Sequence, residues 1–310
     1  KKALEIRRKL LRDSATVTAL SYSRVGRVYQ EMGDLSKSME YFTKSLKIGE
    51  INSDSGLIAA ASCALGNVYY IKNDLKNAWI YYNKSLKYHE NGDSLYMTET
   101  YHGIEKIFVK QNKFSEALDV CHKILNIYQK EYGIHHSSVA SCYSEMGYIY
   151  TCMGNIPIAL KYLHEALKID EDIYGKNSVD IASDIDNIGY AYREKEDYNQ
   201  ALLYYKRAME LLDTMPNDDG INSNRINNLK SISLIHIGDV YSMQGKYKLS
   251  SDCYEKSLCL KRNLYDGKHS EIADLYCRIG QNYYNQDRLQ KAIEYYNKAY
   301  ENISILYAET

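Results

Sequence analysis

Ile181–Leu211 reads IASDIDNIGYAYREKEDYNQALLYYKRAMEL, and this stretch decides the fold. Apolar and small residues fall at Ile185, Ile188, Gly189 and Tyr192, then at Ala201, Tyr205 and Ala208. Steps of three and four place each set on one face of a helix. Between the sets, Arg193-Glu-Lys-Glu-Asp197 is polar and ends in a good N-cap residue, with Gln200 three places on as in a capping box. The pattern predicts a helical hairpin whose two apolar faces cannot be covered by each other alone.

The unit recurs. Gly189 has counterparts at Gly26, Gly66, Gly147, Gly238 and Gly280, each followed three residues later by Tyr29, Tyr69, Tyr150, Tyr241 or Tyr283. Successive glycines are 40, 81, 42, 49 and 42 residues apart. The gap of 81 hides a degenerate unit, with Glu105 in the glycine place and Phe108 in the tyrosine place, which makes seven hairpins. Twelve residues after the glycine stands a small residue: Ser38, Ala78, Ala117, Ala159, Ala201, Ser250 or Ala292. Sixteen after it comes an aromatic (Phe42, Tyr82, Tyr205, Tyr254, Tyr296), and nineteen after it another small residue. The tyrosine three places on is expected to pack over the gap the glycine leaves.

Leu/Ile/Val-Gly-x-x-Tyr followed by Ala/Ser-x-x-x-Phe/Tyr-x-x-Ala/Ser resembles the tetratricopeptide (TPR) repeat. That family's usual period is about 34 residues, and the longer step here lengthens the second helix and the loop after it. The joints 132–140, 174–182 and 265–273 (Tyr132-Gly-Ile-His-His-Ser-Ser-Val-Ala140 is the first) resemble those of kinesin-light-chain-type arrays, without their proline. The resemblance covers essentially the whole chain. It implies an all-α fold: a right-handed superhelical TPR solenoid of about seven helical hairpins plus a partial N-terminal repeat. The Gly-x-x-Tyr hook argues against the runner-up, another α-α repeat such as HEAT. As one solenoid over 1–310, the repeats fall at 19–58, 59–97, 98–139, 140–181, 182–230, 231–272 and 273–310. Residues 1–17 read as the end of a truncated repeat or as a polar cap. Residues 213–224, with Pro216 and Gly220, read as a loop insertion.

Composition narrows the function. A net charge of −1 gives no electrostatic case for direct nucleic-acid binding. No run of 18 apolar residues is present, so membrane insertion is not expected. Seven cysteines without paired spacing fit reduced thiols and a cytoplasmic setting. No phosphate loop, His-Glu-x-x-His, Cys-x-x-Cys or nucleophile elbow occurs, so no enzyme activity, metal or cofactor is expected. Cys121 and His122 are neighbours on a helix and point about 100° apart, and His135 and His136 read as ordinary loop residues.

The resemblance also implies a peptide-binding groove lined by the first helix of each hairpin. Its candidates are Arg24, Arg27, Asn67, Tyr70, Lys106, Lys110, Tyr148, Asn187, Tyr190, Arg193, Gln281 and Tyr284. Amides such as Asn67, Asn187 and Gln281 can hold a peptide backbone, and tyrosines offer flat amphipathic contact. Counted over the same frame, repeats one to three set Arg24, Arg27, Lys106 and Lys110 against Glu31 and Glu99. Repeats four to seven set Arg193 and Arg278 against Glu145, Asp186, Glu194, Asp239 and Asp274. A groove basic at one end and acidic at the other is the expectation. Cys63 in place of a lysine removes the chaperone-tail clamp. The expected function is a scaffold or adaptor that binds a protein or peptide partner in the groove, with self-association through truncated solenoid ends as a further partner mode. The alternatives are a receptor for short signalling peptides of the quorum-sensing type, or the recognition module of a larger enzyme.

Overall fold

The computed structural model describes residues 16–89, 94–216, 221–265 and 269–308. The expected N-terminal partial repeat at 1–17 lies almost wholly outside them. Fourteen α-helices and no strand are present among the described residues. They pair as consecutive hairpins: α1 (Thr16–Glu31) with α2 (Leu35–Asn52), α3 (Ser55–Ile71) with α4 (Leu75–Tyr88), and α5 (Ser94–Lys110) with α6 (Phe114–Tyr132). These form a first compact unit, which ends at Gly133. The second unit begins at Ile134. It holds α7 (Ser137–Cys152) with α8 (Ile156–Tyr174), α9 (Val179–Glu194) with α10 (Tyr198–Asp213), α11 (Ile221–Met243) with α12 (Tyr247–Tyr265), and α13 (Ser270–Asn285) with α14 (Leu289–Ala308).

The repeated glycine marks the crossing point of each hairpin, but its partner differs from the expected one. A Cβ added at Gly66 would lie 2.5 Å from the Tyr82 ring, and one at Gly189 would lie 2.8 Å from Tyr205. The residue sixteen places on therefore fills the gap. In five of the six hairpins that carry it, the tyrosine three places on stacks instead on a tyrosine of the second helix that the periodicity did not single out, and Tyr241 has Cys253 at that place. Tyr29–Tyr41, Tyr69–Tyr81, Tyr150–Tyr162, Tyr192–Tyr204 and Tyr283–Tyr295 have ring centroids 5.2–5.5 Å apart. Each stack ties the two helices of one hairpin together at the same height. The small residues twelve places on, from Ser38 to Ala292, are all buried. In the degenerate hairpin, Gly103 takes up the tip of Tyr82 from the hairpin before it, and Glu105 is buried.

Second helices start where the sequence caps them. Asp34, Asp74 and Asp197 accept from the backbone N–H of Lys37, Asn77 and Gln200. Asn155 makes no such bond, and Pro157 follows in the first turn of its helix, where a missing N–H costs no intrahelical bond. First helices α7 and α13 start at His136 and His269, whose Nδ1 atoms accept from Ser138 and Glu271 N–H. His136 is thus a cap rather than a plain loop residue. The insertion is only partly loop: residues 221–224 already belong to α11, which lengthens because Ile226 and Leu229 bury against Leu212 and Ala182.

Candidate functional site

Within each unit, neighbouring first helices touch through side chains close to the repeat glycines, and most of the expected groove residues belong to these rows. In the first unit, Arg24 and Arg27 of α1 and Lys106 and Lys110 of α5 are exposed. None of the four pairs with a carboxylate among the described residues. Between them, α3 offers Asn67 and Tyr70, both half-buried. Lys110 Nζ lies 5.1 Å from the centre of the Tyr70 ring, a cation–π distance. The Tyr82 hydroxyl donates to Asn67 Oδ1 at 2.7 Å, and Asn67 Nδ2 donates to Glu99 Oε1 at 3.4 Å. The Asn67 carbonyl is therefore already occupied. Beneath this row Cys63 is buried, and burial pushes its thiol up to about 12, so it packs and does not react.

In the second unit the rows are built differently. Tyr148 of α7 and Tyr190 of α9 meet at 5.6 Å between ring centres, and the Arg193 guanidinium lies 4.5 Å above Tyr190. Arg193 donates to Asp239 of α11 at 3.1 Å and to Glu194 at 2.8 Å. Arg278 of α13 donates to the other Asp239 oxygen at 2.5 Å and to Asp274 at 2.7 Å. That Asp239 oxygen also accepts the Tyr254 hydroxyl at 2.7 Å. Burial disfavours charge on Arg278, but Asp239 and Asp274 outweigh it and hold the guanidinium protonated. Asp186 is buried, accepting from Ser233 at 2.6 Å and from His236 Nδ1 at 2.7 Å. The acidic end expected from the charge count is therefore an internally paired network. Asp186 and Asp239 are bonded by side chains of neighbouring helices, and Glu194 and Asp274 by an arginine of their own helix.

Asn187 is half-buried, and no side-chain bond to it is present among the described residues. Gln281 accepts the Tyr296 hydroxyl at 3.0 Å and donates to Asn285 at 2.8 Å, while Tyr284 is 57% exposed. Three tyrosines sixteen places after the glycine, Tyr82, Tyr254 and Tyr296, thus donate to an acceptor one place after it (Asn67, Asp239, Gln281). In the hairpin of Tyr205 that place holds Tyr190, and the buried Tyr205 hydroxyl has no hydrogen-bond partner among the described residues. This pairing rule was readable in the sequence as a correlation between two repeat positions.

Repeated hairpins with polar and aromatic first-helix rows define an all-α helical-repeat protein. The chain belongs to the tetratricopeptide repeat family, whose model matches residues 18–91, 139–214 and 230–303. No curated protein matches its sequence. Among solved structures, it is similar to the apo form of RapI, with 18% identity, a TM-score of 0.63, and cover of 92% of this chain and 97% of that one. It is also similar to a Rap protein complexed with Competence and Sporulation Factor, at 14% identity and a TM-score of 0.63 over 93% of this chain and 76% of that one. A third is BtubC from P. vanneervenii, at 18% identity and a TM-score of 0.54 over 77% and 92%. At these identities the likeness is one of fold.

Proposed function

We propose that the chain is a protein-interaction module, not an enzyme, that holds a peptide segment of a partner protein in a groove along its first-helix rows. The observation that carries this reading is the Tyr148–Tyr190–Arg193 stack, with Tyr148 43% exposed. Tyrosine offers a large, rigid, amphipathic contact area, and tyrosine and arginine are both enriched among the anchoring residues of binding surfaces. In the first unit, taken by itself, Arg24, Arg27, Lys106 and Lys110, with Tyr70 and Asn67 between them, form a cationic candidate surface of their own. Asn187, Gln281 and Tyr284 extend the candidate surface. A receptor for short signalling peptides is the second reading. The likeness to a Rap protein complexed with Competence and Sporulation Factor favours it, as an analogy of fold. Seven free cysteines fit a reducing, cytoplasmic setting, and no helix among the described residues is long and apolar enough to cross a membrane.

Selection of binding peptides from a displayed random library tests the proposal. Peptides that bind should lose at least tenfold in affinity with Tyr190→Ala or Arg24→Ala/Arg27→Ala. They should be indifferent to Lys206→Ala, on the exposed side of α10. Peptides equally sensitive to Lys206→Ala, or insensitive to all three, would remove the first-helix rows as the binding surface.

A further inference from the structure

In the second unit, the joints between hairpins bury two repeat positions, one twenty-three residues after the glycine and the other five residues before the next. Elsewhere these hold packing residues or a compensated charge: Leu212 and Ser233 at one joint, Lys261 and Leu275 at another. Lys261, though buried, donates to Asn228 at 2.6 Å and pairs with Glu271. The joint between α8 and α9 instead holds Asp170 and Asp184, 6% and 5% exposed. Ser144 of α7 donates to Asp184 Oδ1 at 2.8 Å. Asp184 Oδ2 and Asp170 Oδ1 are both buried with no donor, and the two carboxyl groups are within hydrogen-bonding reach of each other. Two facing carboxylates cannot both stay ionised in a buried site. A single proton turns their repulsion into a hydrogen bond and satisfies both orphaned oxygens.

We propose that Asp170 and Asp184 share one proton, and that its loss loosens the joint between α8 and α9, making it a pH-sensitive hinge inside the second unit. Burial pushes both groups up, Asp170 to about 6 and Asp184 to about 7. Asp180 of α9 acts in the same direction, softened by its 2.8 Å ion pair with Arg225 of α11. Ser144, the contribution of α7, is neutral. Glu171, Lys176 and Arg207 line a separate open pocket over Ile181 and Ile185. Because the folded values exceed the ordinary carboxyl value of about 4, this stabilisation is complete at acid pH and is lost as pH rises through about 7. Ser144 and Asp184 lie on the two helices that carry Tyr148 and Tyr190, so the hinge would also open the proposed anchoring stack. That last step rests on the binding function proposed above.

The hinge is tested without any ligand. Asp170→Asn puts a permanent donor where the shared proton lies. Its Tm should exceed that of the unaltered chain at pH 8, on the order of 5 °C, and the advantage should vanish at pH 5. Carbon-13 NMR of the unaltered chain should show one aspartate carboxyl still protonated at pH 6. An equal Tm change at pH 5 and pH 8, or all aspartate carboxyls titrating near pH 4, would overturn the hinge and leave the binding function untouched. With the hinge upheld, affinity of a selected peptide that stays constant from pH 5 to pH 8 would remove its link to the stack.

Discussion

The first-helix rows of the two units carry the same kinds of residue and use them in opposite ways. In the first unit, Arg24, Arg27, Lys106 and Lys110 are exposed with no carboxylate partner among the described residues, and Asn67 between them is held by Tyr82. In the second, Arg193 and Arg278 converge on Asp239, and Asp186 is enclosed by Ser233 and His236. A charge on a repeat surface is available to a partner only when the neighbouring hairpin leaves it unpaired. The four first-helix cations of the first unit have no carboxylate partner among the described residues, whereas Arg193 and Arg278 of the second join its helices.

Removing the hub should break that contrast most strongly. Asp239→Ala leaves Arg193, whose side chain is 11% exposed, without its interhelical carboxylate, and it strips Arg278 and Tyr254 as well. Loss of one partner of a buried pair costs about 3 kcal/mol. Chemical denaturation should show a loss of that order for Asp239→Ala. Lys106→Ala should stay within about 0.5 kcal/mol, as for an exposed site. Similar losses at the two sites would mean that the network is ornamental and the contrast false.

A subtler difference separates two tyrosines at one repeat position. Tyr82→Phe deletes the hydroxyl that donates to Asn67 and should cost about 1 kcal/mol. Tyr205→Phe deletes a buried hydroxyl with no partner among the described residues, and should be neutral or stabilising. A loss at Tyr205 as large as that at Tyr82 would show that its hydroxyl does have a partner, such as a trapped water.

The fold was legible because it rests on short, repeated spacings. Glycine, the small residues at twelve and nineteen and the aromatic at sixteen all lie within two helices of one another, so each repeat restates the same packing. Caps at Asp34, Asp74 and Asp197 were legible for the same local reason. What the glycine meets was misread, since the helical step from Gly189 to Tyr192 suggested a contact that the hairpin gives to Tyr205. The candidate site was legible as a set of exposed positions and illegible as a charge pattern. Asp239 meets Arg193 and Arg278 from 46 and 39 residues away, and Asp186 meets His236 from 50. Such pairings depend on how successive hairpins stack, which spacing within one repeat does not encode. The Asp170–Asp184 pair escaped notice because each aspartate alone reads as an ordinary polar helix residue.

The smallest expected effect on stability belongs to the double reversal Arg24→Glu/Arg27→Glu, and it sharpens the comparison most. Both side chains are exposed and unpaired, so reversal breaks no bond, and the melting curve should move by less than about 0.5 kcal/mol. The same double change should slow association with a selected peptide that carries acidic residues, because free surface charge acts chiefly on encounter rate. The slowing should fade as salt rises past about 0.15 M, where the screening length is about 8 Å. Reversal at Arg193 should behave in the opposite manner: a large loss of stability, weakly dependent on salt, since its partners lie on adjoining helices and not in solvent. A salt-dependent stability loss at Arg24 and Arg27, or an on-rate that ignores them at low salt, would show that the first unit's cations are not free after all.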